Sequence, residues 1–328
     1  MNDQYKVRPL EPSMGPQIAV LMQQLFGQEH DISYWEWKYI QTPASKPELS
    51  YVAQDENGDV VAHWGVMPLR LNILGRTQLM TLWCDTMVHR SARRHSLTQR
   101  MHDAFTKAIK ASDIVVSCGN PNQKNLILNL RNLTFLFNVD TYTLRFETAK
   151  ASLPVLAPED APSLIDAPYQ LEIDRPLDDD IDELWDSIGQ KEHLSLVRDR
   201  KYLQWRYLDH PQNDYRTFTL TQGGQAVGLC VCKEEEDHVR VYELESLYKN
   251  TWLARKLIRE VSEHYSNSER SYIECVARDE WFFDDALQGF KKQRHFDHHF
   301  FVTSTHQEGV FLYENPRNWT VTLSLNEL

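Results

Sequence analysis

Apolar positions along the chain alternate between helical and strand spacing, and the changes of period mark out the elements. Tyr5 to Leu10 has the length of a short edge strand. Ile18, Leu21, Met22 and Leu25 recur at helical spacing, and Tyr34 to Ile40 forms a second helical stretch that stops before Pro43. Ser50 to Gln54 reads as a strand, Glu56-Asn57-Gly58-Asp59 as a turn, and Val60 to Met67 as the returning arm of a hairpin. Another strand is expected near Leu69 to Leu74, with a turn at Gly75. Leu82 to Val88 is an apolar run of strand length, and Leu97, Met101, Ala104, Phe105 and Ala108 then keep helical spacing. Ser96 and Gln99 form an S-x-x-Q capping box that places the helix start at Leu97. Asp113 to Cys118 reads as a buried strand, Asn125 to Leu133 as a helix and Thr141 to Phe146 as a strand. From Thr148 to about Tyr169 the periodicity fails, and Pro154, Pro158, Pro162 and Pro168 mark a linker.

Beyond the linker the pattern returns. Ile181, Leu184, Trp185 and Ile188 repeat the spacing of Ile18, Leu21, Met22 and Leu25. Tyr202-Leu203-Gln204-Trp205-Arg206-Tyr207 answers Tyr34-Trp35-Glu36-Trp37-Lys38-Tyr39, with Trp205 falling 168 residues after Trp37. Gly224 to Gly228 answers Gly58 to Ala62 at an offset of 166. Three segments in one order with small drifts in offset indicate a duplicated domain. The expected division is 1–148, a linker at 149–169, and 170–328. The recurrence also favours helix-to-sheet packing over ligand stacking for Tyr34, Trp35, Trp37 and Tyr39.

Length and charge fit this division. At 328 residues the chain has room for about two domains of ~100–200 residues each. A net charge of −12 argues against nucleic acid or an anionic membrane as a general partner, and no apolar run is long enough to span a bilayer. Cys84, Cys118, Cys230, Cys232 and Cys275 are odd in number and sit mostly in apolar runs, as buried thiols of a cytoplasmic protein do. Cys230 and Cys232 lack a second pair at zinc spacing, and the cluster His295, His298, His299 and His306 lacks a spaced carboxylate pattern, so no metal is expected. The run Asp178-Asp179-Asp180 is expected to cap the helix that begins at Ile181.

Against that acidic background the segment from Val88 to Met101 stands out. It has no acidic residue and carries Arg90, Arg93, Arg94 and Arg100 between a strand and a helix start. Free backbone N–H groups at a helix N-terminus, fed by a basic loop, suit a phosphate. An ordinary connection with surface arginines is the competing reading. In the second half only Tyr248-Lys249-Asn250-Thr251 joins the corresponding strand and helix, so a ligand site at this loop belongs to the first half.

This order of elements resembles the GNAT superfamily of acyl-CoA-dependent N-acyltransferases, taken twice. The resemblance implies an α/β (α+β) fold of two tandem GNAT-like domains, each a mixed, mostly antiparallel sheet flanked by helices. It implies acetyl-CoA, or another acyl-CoA, as co-substrate. Pyrophosphate would rest on Arg93, Arg94, His95, Ser96, Leu97 and Thr98, which match the family's R/Q-x-x-G-x-G/A loop, and Met87 and Val88 would bond the pantetheine arm. Cys118-Gly119-Asn120-Pro121-Asn122 and Asn315-Pro316-Arg317-Asn318-Trp319 look like a subgroup associated with surface polysaccharides and amino sugars, with Asn122 at the cofactor. Two departures stand out. Ser96 and Thr98 replace the loop glycines, and Leu130 stands where many members place a tyrosine that protonates the departing thiolate.

Acyl transfer to an amine needs a base and donors for the developing oxyanion. Asp85 is the first candidate base, with a structural carboxylate paired to Arg93 or capping a turn as the alternative; His63 is second, against a satisfied core histidine. Cys84 and Cys118 have no nearby cue for activation as nucleophiles. The leading expectation is an N-acyltransferase acting on a small amine, with an amino sugar of a surface glycan as acceptor. The alternative is a non-catalytic module that binds acyl-CoA or a protein through a decayed fold. Aminoacyl transfer from tRNA, as in FemAB-like proteins, is disfavoured by the acidic charge.

Overall fold

The computed structural model describes residues 4–27, 31–119, 141–147, 162, 166–266, 268–278, 281–295, 301–304, 312–313 and 315–320. The first half contains β1 (Lys6–Pro9), α1 (Gly15–Phe26), α2 (Ile32–Tyr39), β2 (Tyr51–Gln54), β3 (Val60–Ile73), β4 (Arg76–Val88), α3 (Leu97–Ile109), β5 (Ile114–Gly119) and β6 (Thr141–Glu147). The second begins with β7 (Tyr169–Ile173), α4 (Asp179–Gly189), β8 (Leu194–Leu196) and α5 (Arg200–Leu203), which a π-turn over Gln204–Leu208 extends. It continues through β9 (Arg216–Gln222), β10 (Gln225–Glu234), β11 (His238–Ser246), α6 (Thr251–Tyr265), β12 (Tyr272–Arg278), α7 (Trp281–Ala286), β13 (Lys291–His295) and β14 (Phe301–Ser304). Asn122, the helix expected at 125–133, most of the linker, and His298, His299 and His306 lie outside the described residues.

Two mixed, mostly antiparallel seven-stranded sheets are flanked by helices. One has the order β1-β2-β3-β4-β5-β14 with β8 added to β3; the other runs β13-β6-β12-β11-β10-β9-β7. The parallel pairs are β4 with β5 and β11 with β12, bridged by α3 and α6. The strand order β1 to β5 in one sheet therefore corresponds to β7-β9-β10-β11-β12 in the other. Each sheet then takes a strand from the opposite half of the sequence: β14 pairs with β5, and β6 lies between β12 and β13.

Local chemistry accounts for most boundaries. Pro16 stands in the first turn of α1, and Gly27 ends that helix at φ 67 while its N–H bonds the Gln23 carbonyl. The Asp31 carboxylate caps α2 by accepting from Tyr34 N at 2.9 Å. Leu74 and Gly75, at φ 50 and 82, form the tight turn between β3 and β4. The strands expected at Val60–Met67 and Leu69–Leu74 are one continuous β3, with Pro68 inside it. Proline is tolerated there because β2 starts opposite Trp64 and β8 stops opposite Leu71, so among the described residues no strand faces its missing N–H. Asp178 occupies the N-cap of α4 without a side-chain cap bond; Asp180 instead turns to Arg175 at 2.5 Å and to Ala226 N at 2.9 Å.

The aromatic segments of α2 and α5 meet face to face. The Trp37 and Trp205 rings stack at 5.2 Å; Trp37 Nε1 donates to the Trp205 carbonyl at 2.6 Å, and Trp205 Nε1 donates to that of Trp37 at 2.8 Å. Residues 168 apart thus exchange equivalent bonds across the boundary. Arg70 on β3 adds a bidentate pair to Asp199, both contacts at 2.6 Å. Met67, Leu69, Leu71, Met80 and Leu82 of the first sheet pack in one core with Leu184, Trp185 and Ile188 of α4. Trp37 and Trp205 thus serve packing between the halves, while Trp35 and Tyr39 pack in a core of first-half residues.

Candidate active site

The site grows from an irregularity in β4. His63 pairs with Met87 and Gly65 with Cys84, so Asp85 and Thr86 together oppose Trp64 alone. This is a β-bulge, which leaves backbone groups out of the ladder. Asp85 adopts φ 44, the left-handed region that costs a non-glycine residue about 1–2 kcal/mol. Gly65 is required opposite it. A Cβ there would lie 2.5 Å from the Cys84 carbonyl oxygen and closer still to Tyr39 Oη. On its other side β4 pairs with β5 only as far as Trp83 and Gly119, so from Cys84 to Val88 that edge has no strand partner among the described residues.

Five side chains gather at the bulge. Asp85 Oδ2 accepts from Tyr39 Oη at 2.7 Å and pairs with Lys38 Nζ at 2.9 Å. His63 Nδ1 lies 2.9 Å from the Asp85 carbonyl oxygen, and Tyr39 Oη lies 3.4 Å from Cys84 Sγ. The Asp85 partner is therefore Lys38, where the sequence suggested Arg93. Burial works to raise the Asp85 carboxyl, but the Lys38 ammonium and the bonds from Lys38 and Tyr39 outweigh it and hold it below the usual range. Burial lowers the His63 imidazole, with Lys38 adding to the effect and Asp85 opposing it. Burial also pushes the Cys84 thiol up to about 12, which keeps it protonated. The ordinary reading of His63 as a satisfied core residue meets one difficulty. Its ring is fully buried, yet Nε2 has no hydrogen-bond partner.

The basic loop lies at the C-terminal end of the same strand. Arg94 and Ser96 have φ of 76 and 54, so Ser96 holds the conformation for which glycine is favoured. The capping box is not formed. Ser96 makes no side-chain cap bond, and Gln99 Nε2 donates to Asp103 Oδ1 at 2.8 Å. A capping serine needs extended backbone, and a left-handed one turns its hydroxyl away. The first helical bond runs from Arg100 N to the Ser96 carbonyl, so the N–H groups ahead of it have no helical acceptor. Arg93, Arg94, His95, Ser96 and Thr98 are exposed, and among the described residues Arg90, Arg93 and Arg94 form no ion pair. The Met87 and Leu97 side chains are buried in cores, which leaves only their backbones for a ligand. An open cleft of about 520 Å³ lies beside this loop, between α1 and the β2–β3 turn, with Gln17, Asp55, Asp59 and His89 among its walls. It does not reach His63.

The second half differs at both places. The short turn Leu247–Lys249 leads into α6, whose N-terminus is closed by Asn250 accepting from Leu253 N at 3.1 Å. Tyr207 Oη donates to Glu243 Oε1 at 2.7 Å, as Tyr39 does to Asp85. Around Glu243 the chain packs a buried ionic cluster. Arg198 contacts Glu192 at 2.7 Å and Glu245 at 2.9 Å, while Lys249 contacts Glu192 at 2.9 Å and Glu245 at 3.6 Å.

The structure thus brings Asp85 and His63 together beside Met87 and Val88, with the Arg93 to Thr98 loop at the strand's end. Sequence reading missed Lys38, Tyr39 and Gly65. A lysine amid four aromatics and a glycine inside a strand were the available signals.

Residues 6–126 match the family model of the acetyltransferase (GNAT) domain. No curated protein sequence matches the chain. Among solved structures it is similar to a probable N-acyltransferase from Enterococcus faecalis V583, with a TM-score of 0.71 and 11% identity over 93% of this chain and 74% of that one. A GCN5-related N-acetyltransferase from Anabaena variabilis ATCC 29413 aligns with a TM-score of 0.70 and 12% identity over 92% and 73%. N-myristoyltransferase from Saccharomyces cerevisiae, solved with myristoyl-CoA, gives 0.57 and 13% over 92% and 79%. At such identities the likeness is one of fold.

Proposed function

Residues 6–126 are a GNAT acetyltransferase domain, and from that premise we propose that this enzyme moves an acetyl or similar acyl group from acyl-CoA to a small amine. We take an amino sugar of a surface polysaccharide as the acceptor, and read the two halves as tandem copies of which only the first binds the co-substrate. The observation that carries the reading is the start of α3. Its leading N–H groups are uncapped, Ser96 already holds a glycine-like conformation, and exposed Arg93 and Arg94 flank it. Acyl-CoA supplies the thioester. Arg93, Arg94, His95 and the Ser96 to Thr98 backbone would hold its phosphates, and the Met87 and Val88 backbone its pantetheine arm. Asn122 keeps the same proposed role. A cytoplasmic location suits the five free cysteines.

At the bulge, backbone N–H groups released from the ladder stabilise the oxyanion that forms as the amine attacks. The partly exposed Asp85 carboxylate holds the amine; kept ionised by Lys38, it is a weak base. His63 is then the proton acceptor. Its Nε2 is sealed from solvent, so the proton reaches it through a water admitted with the substrate or after a neighbour moves. The departing thiolate is a fair leaving group, its parent thiol having a pKa of ~8.5, and needs no dedicated acid.

Calorimetric titration with acetyl-CoA tests the reading. Arg93→Ala should weaken binding about tenfold, the loss of one charge-assisted hydrogen bond. Absence of binding to the unmodified enzyme at millimolar ligand would sink it. Binding without thiol release across a panel of amino sugars and alkyl amines would favour the non-catalytic module.

A further inference from the structure

The acyl-transfer chemistry above uses Lys38 only to keep Asp85 ionised, yet a lysine only 3% exposed is costly to bury, and among the described residues its anionic partner is Asp85. We propose that Lys38 is a positioning residue: it anchors Asp85, whose bulged backbone carbonyl fixes the His63 ring with Nδ1 protonated and Nε2 bare. The inference rests on the proposed role of His63 as proton acceptor and deepens it.

The chain of contacts is continuous. Lys38 Nζ and Tyr39 Oη, neighbours on α2, both bind Asp85 Oδ2, at 2.9 and 2.7 Å. That double hold offsets the cost of the Asp85 backbone at φ 44, which no hydrogen bond of the regular ladder imposes. With this backbone the Asp85 carbonyl oxygen lies 2.9 Å from His63 Nδ1. A carbonyl oxygen can only accept, so Nδ1 carries the proton; in the neutral ring Nε2 is then an unprotonated acceptor. Tyr39 closes the ring's side, edge-on at 5.5 Å, and Gly65 leaves room for it at the Cβ level. The titratable groups around the ring are Lys38, Tyr39, Cys84 and Asp85, with Tyr34 beyond, its ring 5.7 Å from Lys38 Nζ. Burial and the Lys38 charge disfavour the imidazolium, while Asp85 favours it.

The second half supplies a comparison within the same chain. Arg206 and Tyr207 answer Lys38 and Tyr39, and Tyr207 still donates to a carboxylate, Glu243. The residue answering His63, under the alignment that sets Gly224 against Gly58, is Leu229. There the tyrosine–carboxylate bond ends in a sealed ionic cluster, with no base to orient. In the first half the same arrangement leads to an imidazole with a free nitrogen.

Nitrogen NMR of the full-length enzyme with ¹⁵N-labelled histidine tests this without knowledge of the acceptor; the His63 signals are assigned by their loss in His63→Gln. The unmodified enzyme should show a single neutral tautomer with the proton on Nδ1. Lys38→Met should mix the tautomers and raise the His63 pKa, since it removes a nearby positive charge. Lys38→Arg should restore both signatures. A proton on Nε2 in the unmodified enzyme overturns the proposal. So does a Lys38→Met variant that keeps the tautomer and the pKa. If Lys38→Met does not fold, the tautomer of the unmodified enzyme and the Lys38→Arg spectrum decide. The base reading fails separately, if His63→Gln transfers acetyl from acetyl-CoA at an undiminished rate.

Discussion

Replacing Glu245 with glutamine removes one of three carboxylates from the buried cluster of the second half. There Glu192, Glu243 and Glu245 surround the two cations Arg198 and Lys249, all with relative exposures of 4% or less. Among these five described residues the anions outnumber the cations by three to two. Burial pushes the Glu245 carboxyl from its ordinary 4.5 up to about 7, although Arg198 and Lys249 pull the other way. A raised acid binds its proton more tightly in the folded state. The stability this gives is fully present below 4.5 and is lost as pH rises through 7. At about 1.36 kcal/mol per unit, the loss comes to roughly 3 kcal/mol by pH 8. Glu192 behaves in the opposite sense. Burial alone would raise it, but Arg198 and Lys249 lower it to about 2, so its contribution is present above 4.5 and lost as pH falls towards 2. Glutamine at 245 keeps an acceptor for Arg198 and cannot ionise. Urea unfolding of both proteins at pH 5, 6, 7 and 8 should therefore show the variant gaining roughly 3 kcal/mol on the unmodified chain across that range. Histidine titrations common to both cancel in the difference. Parallel curves from pH 5 to 8 would refute the reasoning.

Two further expectations concern the first half. Ser96→Gly should stabilise the chain by about 1 kcal/mol in thermal or urea unfolding, because glycine meets φ 54 without strain, and should leave acetyl-CoA affinity intact. A loss of affinity would mean that the serine hydroxyl itself takes part in binding. Gly65→Ala should destabilise by about 1–3 kcal/mol and abolish thiol release, since its Cβ meets the Cys84 carbonyl across the bulge; full activity in that variant would show that the bulge can relax harmlessly.

How much of this was legible depended on whether a feature is local. Periodicity marked the helix after the basic loop and the end of the strand before it, though β4 begins at Arg76 where Leu82 was expected; the aromatic repeat at 168 residues pointed to packing, which the Trp37–Trp205 exchange explains. The capping box failed because its motif assumes an extended serine, and Ser96 is left-handed. The single strand β3 was read as two because neither the start of β2 nor the end of β8 opposite it can be read locally. Lys38 was hidden for a different reason. On a short, mostly buried helix its spacing is that of a core position, and only the Asp85 carboxylate from a strand 46 residues after Tyr39 gives it a partner.

The crossed strands bear on how the protein is made. The far edge of β5 stays unpaired until β14 arrives, and β5 ends at Gly119 whereas β14 begins at Phe301. At about 5–20 residues per second, ribosomal synthesis leaves that edge open for roughly 10–40 s. An apolar strand edge exposed for so long is a template for pairing with other nascent chains. The segment at 6–126 that matches the acetyltransferase model is therefore translated well before the strand that completes its sheet. Chaperone dependence and expression temperature should follow the fate of β14 more closely than that of the residues around the candidate site.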